Sequence, residues 1–184
     1  MGRLIFSMIV SLDGYVTDER GDFQWGVPDE EVLAVINQQM TGVGTFLYGR
    51  RMYEVMSVWE TDASLPYSPR SVEFAEIWSA ADKVVFSTTL NQPYTSRTRI
   101  EREFVPAEIQ RLKDATAADL TVDGPTLAAH ALRAGLVDEI HQLVCPVVLG
   151  GGLRMLPERR MDLRLLEERG FANGMVQMRY ATLP

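Results

Sequence analysis

Three turns in this chain set small or cationic residues directly after an apolar run. The first is Gly49-Arg50-Arg51-Met52, which follows Thr45-Phe46-Leu47-Tyr48 and opens a helical pattern. A strand that feeds a helix through Gly-Arg-Arg brings free backbone N–H groups and two guanidiniums to one point, a set suited to a phosphate. The second turn is Ser87-Thr88-Thr89, with three small hydroxyls after Lys83-Val84-Val85-Phe86. The third is Asp123-Gly124-Pro125-Thr126, which leads into a helix at Leu127. An isolated Arg-Arg pair reads as solvated surface. Three such turns on one rim read differently, because ligands of open α/β sheets bind beyond the carboxyl ends of the strands. A ligand with several phosphates, best a dinucleotide, fits this set. A cation near Ser87, supplied by Arg50 or Arg51, would favour a 2′-phosphate. No Gly-x-Gly-x-x-Gly fingerprint and no Walker A sequence is present.

Carboxylates offer the acid–base chemistry, each with a plainer role beside it. Asp29, Glu30 and Glu31 follow Pro28 at a helix opening, where acids complement the dipole. Asp13 precedes Gly14 in a turn. Asp123 is suited to capping the helix after it. Facing phosphates instead, it would repel them. Trp25, Trp59, Trp78, Tyr48 and Tyr53 read either as core or as the wall of a flat apolar pocket, with Trp25 and Tyr53 expected nearest a site. Cys145, the single cysteine, lies in an apolar run and reads as an inert buried thiol. His130 and His141 read as a helix-surface and a strand residue, neither with an evident carboxylate partner. With no Cys/His cluster, no metal site is expected.

The elements that must hold these residues alternate. Leu4 to Val10 is a nearly continuous apolar strand, covered on both faces. A helix follows from Pro28 to a stop at Gly42, then the strand Thr45–Tyr48 and a helix to about Val58. Thr61 to Arg70 reads as a surface loop, with a helix through Phe74, Ile77 and Trp78 after it. Further strands are expected at 83–86, 98–104 and 120–122, and helices at 106–114 and from Leu127 to Gly135. Glu139 to Leu149 reads as one long strand and Gly150-Gly151-Gly152 as a mobile loop. Asn173-Gly174 is a hairpin signal, and Val176, Met178 and Tyr180 alternate with polar residues. The fold class is therefore α/β: a mostly parallel sheet with an antiparallel hairpin at one edge. The 184 residues, 46% hydrophobic and 23% charged, suit one domain over 1–184. The net charge of -7 argues against nucleic acid. With no signal-peptide pattern and no membrane-length apolar run, a cytoplasmic protein is expected.

The ordered motifs Ser11-Leu12-Asp13-Gly14-Tyr15-Val16, Leu47-Tyr48-Gly49-Arg50-Arg51-Met52-Tyr53, Gly124-Pro125-Thr126-Leu127, Gly135 to Ile140 and Pro146 to Gly150 carry a resemblance. The chain resembles the dihydrofolate reductase fold. Within it, the chain is similar to the C-terminal reductase domain of the bifunctional riboflavin-biosynthesis deaminase/reductase. That resemblance implies a three-layer sandwich and an NADPH-dependent reductase acting on a small heteroaromatic or sugar-bearing substrate, pterin- or pyrimidine-like. The alternative is a non-catalytic nucleotide- or drug-binding module of the same fold. By the resemblance, Gly49, Arg50, Arg51 and Met52 hold the cofactor phosphates, and Ser87, Thr88 and Thr89 face the adenosine and its 2′-phosphate. Asp123, Gly124, Pro125, Thr126 and Leu127 lie at the pyrophosphate, although family members commonly carry a small residue in place of Asp123. Ile9, Val10, Gly14 and Tyr15 line the nicotinamide end. Glu30 or Asp13 would be the proton source. A lysine common in those reductases is Ser7 here, and the zinc-binding deaminase half is absent, so the riboflavin precursor is disfavoured as substrate. Related domains form dimers, so a homodimer through the Ile140–Leu149 strand and the edge hairpin is expected.

Overall fold

The computed structural model describes residues 1–183. In chain order the elements are β1 (Leu4–Ser11), β2 (Tyr15–Thr17), a 3-10 turn (Gln24–Gly26), α1 (Glu30–Met40), β3 (Val43–Gly49) and α2 (Arg50–Thr61). There follow α3 (Pro69–Ala80), β4 (Asp82–Phe86), β5 (Thr98–Glu101), α4 (Pro106–Ala115), β6 (Asp119–Asp123) and α5 (Pro125–Arg133). The chain finishes with β7 (Glu139–Cys145), β8 (Leu153–Arg154), β9 (Leu163–Gly170) and β10 (Val176–Thr182). Eight strands form one sheet in the order β5-β4-β3-β6-β1-β7-β10-β9, and β2 pairs with β8 separately. The six strands from β5 to β7 are mutually parallel, and β10 runs antiparallel to both its neighbours. The Asn173-Gly174 signal is the β9–β10 turn, with Gly174 at φ 87°.

Alternation along the strands divides the core. Leu4, Phe6, Val10, Leu47, Leu120, Val122 and Ile140 point to the face covered by α4 and α5, through Ile109, Leu127, Ala131 and Leu132. The other face carries two apolar clusters. Phe46, Tyr48 and Val85 pack with Tyr53, Phe74 and Trp78 from α2 and α3. Leu143 and Cys145 pack with Val32 and Val35 of α1 and with Phe171 and Met175.

The structure corrects several expectations. The strand from Glu139 ends at Cys145, where Pro146 has no N–H for the ladder. β7 is also paired on both sides, to β1 and β10, so it offers no free edge to a second copy. The edge on that side is β9, where Leu165 and Leu166 are exposed. Gly150-Gly152 is not loose: Gly150 N–H donates to Asp13 Oδ2 at 2.7 Å. A Cβ on Gly152 (φ 129°) would fall 1.9 Å from the Thr17 carbonyl oxygen, so only glycine allows this approach. Among the described residues no helix is long and apolar enough to cross a membrane.

The sheet breaks at its centre. β1 and β6 pair only at Leu4–Leu120 and Ile5–Thr121. Beyond that point β1 continues with β7 as far as Ser11–Cys145, and β6 continues with β3 as far as Asp123–Tyr48. The two central strands therefore part toward their carboxyl ends. Ser7, Met8 and Ile9 are partly open to solvent in the middle of an eight-stranded sheet, where full burial is the rule.

Candidate active site

The site has a groove at one end and the β1/β6 split at the other. The groove, about 650 Å³, is lined by Arg50, Phe86, Ser87, Thr88, Thr89, Arg102, Glu103, Phe104, Leu127 and His130. Residues 39 apart in sequence meet here: Arg50 Nη1 donates to Thr89 Oγ1 at 2.7 Å. Its Nε donates to Glu54 Oε1 at 2.7 Å, one helical turn on. A neighbouring recess of about 450 Å³ joins Arg50 and Thr89 to Asn91, Gln92 and Tyr94.

Two helices begin at this rim without a side-chain cap. Gly49 precedes α2 and Gly124 precedes α5, and neither start carries a capping hydrogen bond from a side chain. The first-turn N–H groups of both helices are thus left for another acceptor. The two starts lie against each other: a Cβ on Gly124 (φ 92°) would sit 3.3 Å from Met52 Cβ, and one on Gly49 would sit 3.9 Å from Leu127 Cβ. Pro125 at the first position of α5 has no N–H to satisfy and fixes the helical φ. Pro125 is half-buried and Thr126 exposed on the same rim.

Several predicted residues take other work. Ser87 is buried, and its Oγ accepts the N–H groups of Thr89 and Leu90, so it shapes the turn while Thr88 and Thr89 stay exposed. Arg51 is exposed and outside the lining of both recesses. Tyr53 is fully buried, not a pocket wall. Its phenol accepts the N–H of Tyr94 at 2.7 Å and of Thr95 at 3.0 Å, which pins the segment after the Ser87 turn. Glu30 does not lie in an apolar cleft. It is exposed at the start of α1 and accepts from Ser68 Oγ at 2.5 Å. Helix α1 is capped by Asp29, whose Oδ1 accepts the Val32 N–H.

Asp13 clamps two loops at the ends of β1 and β7. Oδ1 accepts from Ser11 Oγ at 2.7 Å and from Leu149 N–H at 3.1 Å, and Oδ2 accepts from Gly150. The Ser11 hydroxyl, with the Gly150 and Leu149 amides, lowers its pKa from 3.8 to about 2. A carboxylate held in its charged form accepts hydrogen bonds and does not supply a proton near neutrality. Beside it Tyr15 lies under the Arg154 guanidinium, 4.8 Å from the ring centre. The Gly14 carbonyl accepts the Met155 N–H at 3.0 Å. Val10 is buried on the α5 face. Ile9 lies against Gly26, and both Ile9 and Trp25 border the apolar cluster of Val32, Leu143 and Cys145.

Asp123 departs most from its expected role. It does not cap α5, whose N-cap is Gly124. Its side chain turns inward and its residue is only 8% exposed, on the sheet face opposite α5 beside Tyr48 and Ser7. Oδ2 accepts from Thr121 Oγ1 at 2.6 Å. Burial raises its pKa from 3.8 to about 7, against the opposing hydrogen bond of Thr121.

On the far side of Ser7, His141 is buried, and it does have a carboxylate partner. Its Nε2 lies 2.8 Å from Glu139 Oε2, two residues away on the same strand face. Arg179 of β10 donates to the same Glu139 oxygen at 3.3 Å, and its Nε lies 3.3 Å from His141 Nε2. Burial lowers the imidazole pKa and Arg179 adds to that, while Glu139 opposes it. Burial works to raise the Glu139 carboxyl, but His141 and Arg3 outweigh it and hold it low. Sequence spacing carried one unused signal for this pair, since i and i+2 on a strand share a face. Arg102, whose Nη1 donates to the carbonyls of Ser87 and Leu90 at 2.8 Å each, had no local signal at all. Among the described residues no metal-binding cluster occurs.

The RibD C-terminal domain family matches residues 3–177. The chain is 27% identical over 186 residues to YyaP, an uncharacterized protein of Bacillus subtilis, covering 97% of this chain and 94% of that one. A putative riboflavin biosynthesis protein from Shewanella sp. PV-4 superposes with a TM-score of 0.75 at 22% identity, over 99% of each chain. RibD from Acinetobacter baumannii gives 0.74 at 16% identity, with this chain spanning 58% of that protein's length. A pyrimidine reductase-like protein from Corynebacterium diphtheriae gives 0.67 at 12% identity, over 100% of this chain and 92% of that one. At these identities the structural likenesses establish the fold.

Proposed function

We propose, since the chain belongs to the RibD C-terminal domain family, that it is an NADPH-dependent reductase of a small heteroaromatic or sugar-bearing substrate. The observation that carries this reading is the pair of uncapped helix starts at Gly49 and Gly124, abutting each other beside Arg50. Such starts favour a pyrophosphate, and Gly124 lets the two starts approach, since a Cβ there would crowd Met52. Arg50, Thr88 and Thr89 would take the adenosine end and its 2′-phosphate, with Arg102 fixing the turn that presents them. The β1/β6 split, floored by Ser7 and Ile9, would take the nicotinamide and the reducible group. When bound, NADPH would supply a hydride; the protein supplies binding, orientation and a proton. The reading carries no nucleic-acid or membrane partner. It includes a homodimer through the β9 edge, where exposed Leu165 and Leu166 call for cover.

A second reading, a binding module without turnover, draws on Glu30 and Asp13. One is tied to Ser68 and exposed, and the other is held as a carboxylate. The two readings separate on incubation of the protein and NADPH with pterins, pyrimidine glycosides and small carbonyl compounds, followed by loss of absorbance at the reduced-nicotinamide band. Turnover of any member supports the reductase. Tight binding of dinucleotide with no turnover across the panel favours the module.

A further inference from the structure

We propose that Asp123 is the acid of this site, the carboxyl that meets the ligand at the β1/β6 split and passes it a proton. The inference rests on the cofactor reading and assigns the residue that reading lacks. Three observations place the carboxyl there. It ends β6 at the point where β6 and β1 have parted. Continuing the Ile5–Thr121 register sets it beside Ser7, the solvent-reached floor of the split. The next residue, Gly124, begins the uncapped helix at the pyrophosphate rim, so one residue separates the two subsites.

Its surroundings suit a proton carrier. Thr121 on its own strand donates to it, Ser7 lies alongside it on β1, and Tyr48 stands beside it on β3. Tyr48 is fully buried and kept neutral, its hydroxyl accepting from Trp78 Nε1 at 2.9 Å. No cation is among the groups that set the ionisation of Asp123, so nothing fixes the carboxylate as the Ser11, Leu149 and Gly150 donors fix Asp13. A carboxyl that is half protonated near neutrality can both give and regain a proton.

In the reaction, the substrate carbon of a C=N or C=O bond accepts a hydride from a reduced nicotinamide dinucleotide, which leaves oxidised. The substrate nitrogen or oxygen takes the proton of the Asp123 carboxyl. The carboxylate left behind is reprotonated from solvent through the opening over Ser7.

The test is calorimetric titration with NADPH between pH 6 and 8.5, in two buffers of different ionisation enthalpy. The proteins are wild type, Asp123→Asn, Thr121→Val and His141→Gln. An anionic ligand closing over Asp123 disfavours its carboxylate further, so binding takes up protons. Wild type should take up more than about half a proton per NADPH near pH 7.5, and its affinity should fall as pH rises, toward about tenfold per pH unit. Asp123→Asn should bind with no uptake from this group and a flat profile. Thr121→Val, which keeps the acid and removes its donor, should shift the midpoint upward. Equal uptake in wild type and Asp123→Asn, or a profile flattened only by His141→Gln, would overturn the assignment and leave the cofactor reading standing. No NADPH binding by wild type at any pH would overturn the cofactor reading and this assignment together.

Discussion

The two ends of this site are built on opposite plans. The groove around Arg50 is made of exposed groups on turns, held by a few long-range hydrogen bonds such as Arg50–Thr89 and Tyr53–Tyr94. The β1/β6 split is made of strand residues within the sheet, where Asp123 and His141 are buried on either side of the more open Ser7. Exposed charges cost little to hold and contribute little to stability, so the groove can be altered for affinity without unfolding the chain. Buried titratable groups couple fold and chemistry, because the environment that shifts a pKa also charges the folded state for ionisation.

The sharpest way to break that contrast is the pH dependence of stability. The folded pKa of Asp123, about 7, lies above its ordinary 3.8. The folded state therefore holds this proton where the unfolded chain has lost it. Stability is highest below pH 4 for this group and falls as pH rises to about 7, by up to about 4 kcal/mol. Denaturant unfolding at pH 4 and pH 8 should show that loss in wild type and not in Asp123→Asn. An equal loss in the variant would show that the carboxyl is not buried as described.

At the groove end, Arg50→Ala should weaken NADPH by about 10- to 100-fold, the worth of one charge-assisted hydrogen bond at about 1.5–3 kcal/mol. Its unfolding midpoint should hardly move. Tyr53→Phe lies between the two plans. It removes the acceptor of the Tyr94 and Thr95 amides and should cost about 1–3 kcal/mol in denaturant unfolding, with affinity falling only through a looser Ser87–Thr98 segment. Smallest of all, Glu30→Gln should leave stability within about 0.5 kcal/mol and turnover within about twofold. A large loss of turnover there would return the proton to α1.

The same contrast governs what the sequence discloses. The alternating strands and helices, the Asn173-Gly174 hairpin and the Gly49-Arg50 and Gly124-Pro125 turns are local patterns, and each stands where the pattern predicts. The strand expected over Glu139–Leu149 stops at Cys145, and the missing N–H of Pro146 is itself a local cue. The split was not legible, because parting of β1 and β6 is a property of two strands more than 100 residues apart. Asp123 shows the consequence. Its type suits a helix cap, but one residue of offset put Gly124 at the cap and turned the carboxyl into the sheet. Asp13 and Glu30 owe their expected role to the resemblance, and Tyr53 to its aromatic ring. Their partners at Gly150, Ser68 and Thr95 come from distant segments and give them structural work.

Whether this rim and split hold NADPH is read most directly by fluorescence titration of the protein with NADPH and with NADH, side by side with Arg50→Ala. Quenching of tryptophan emission and the emission of the reduced nicotinamide provide the signal. Tight NADPH binding, much weaker NADH binding, and a narrower preference between them in the variant are expected. Failure of wild type to bind either dinucleotide, or an unchanged preference in Arg50→Ala, would contradict the cofactor reading.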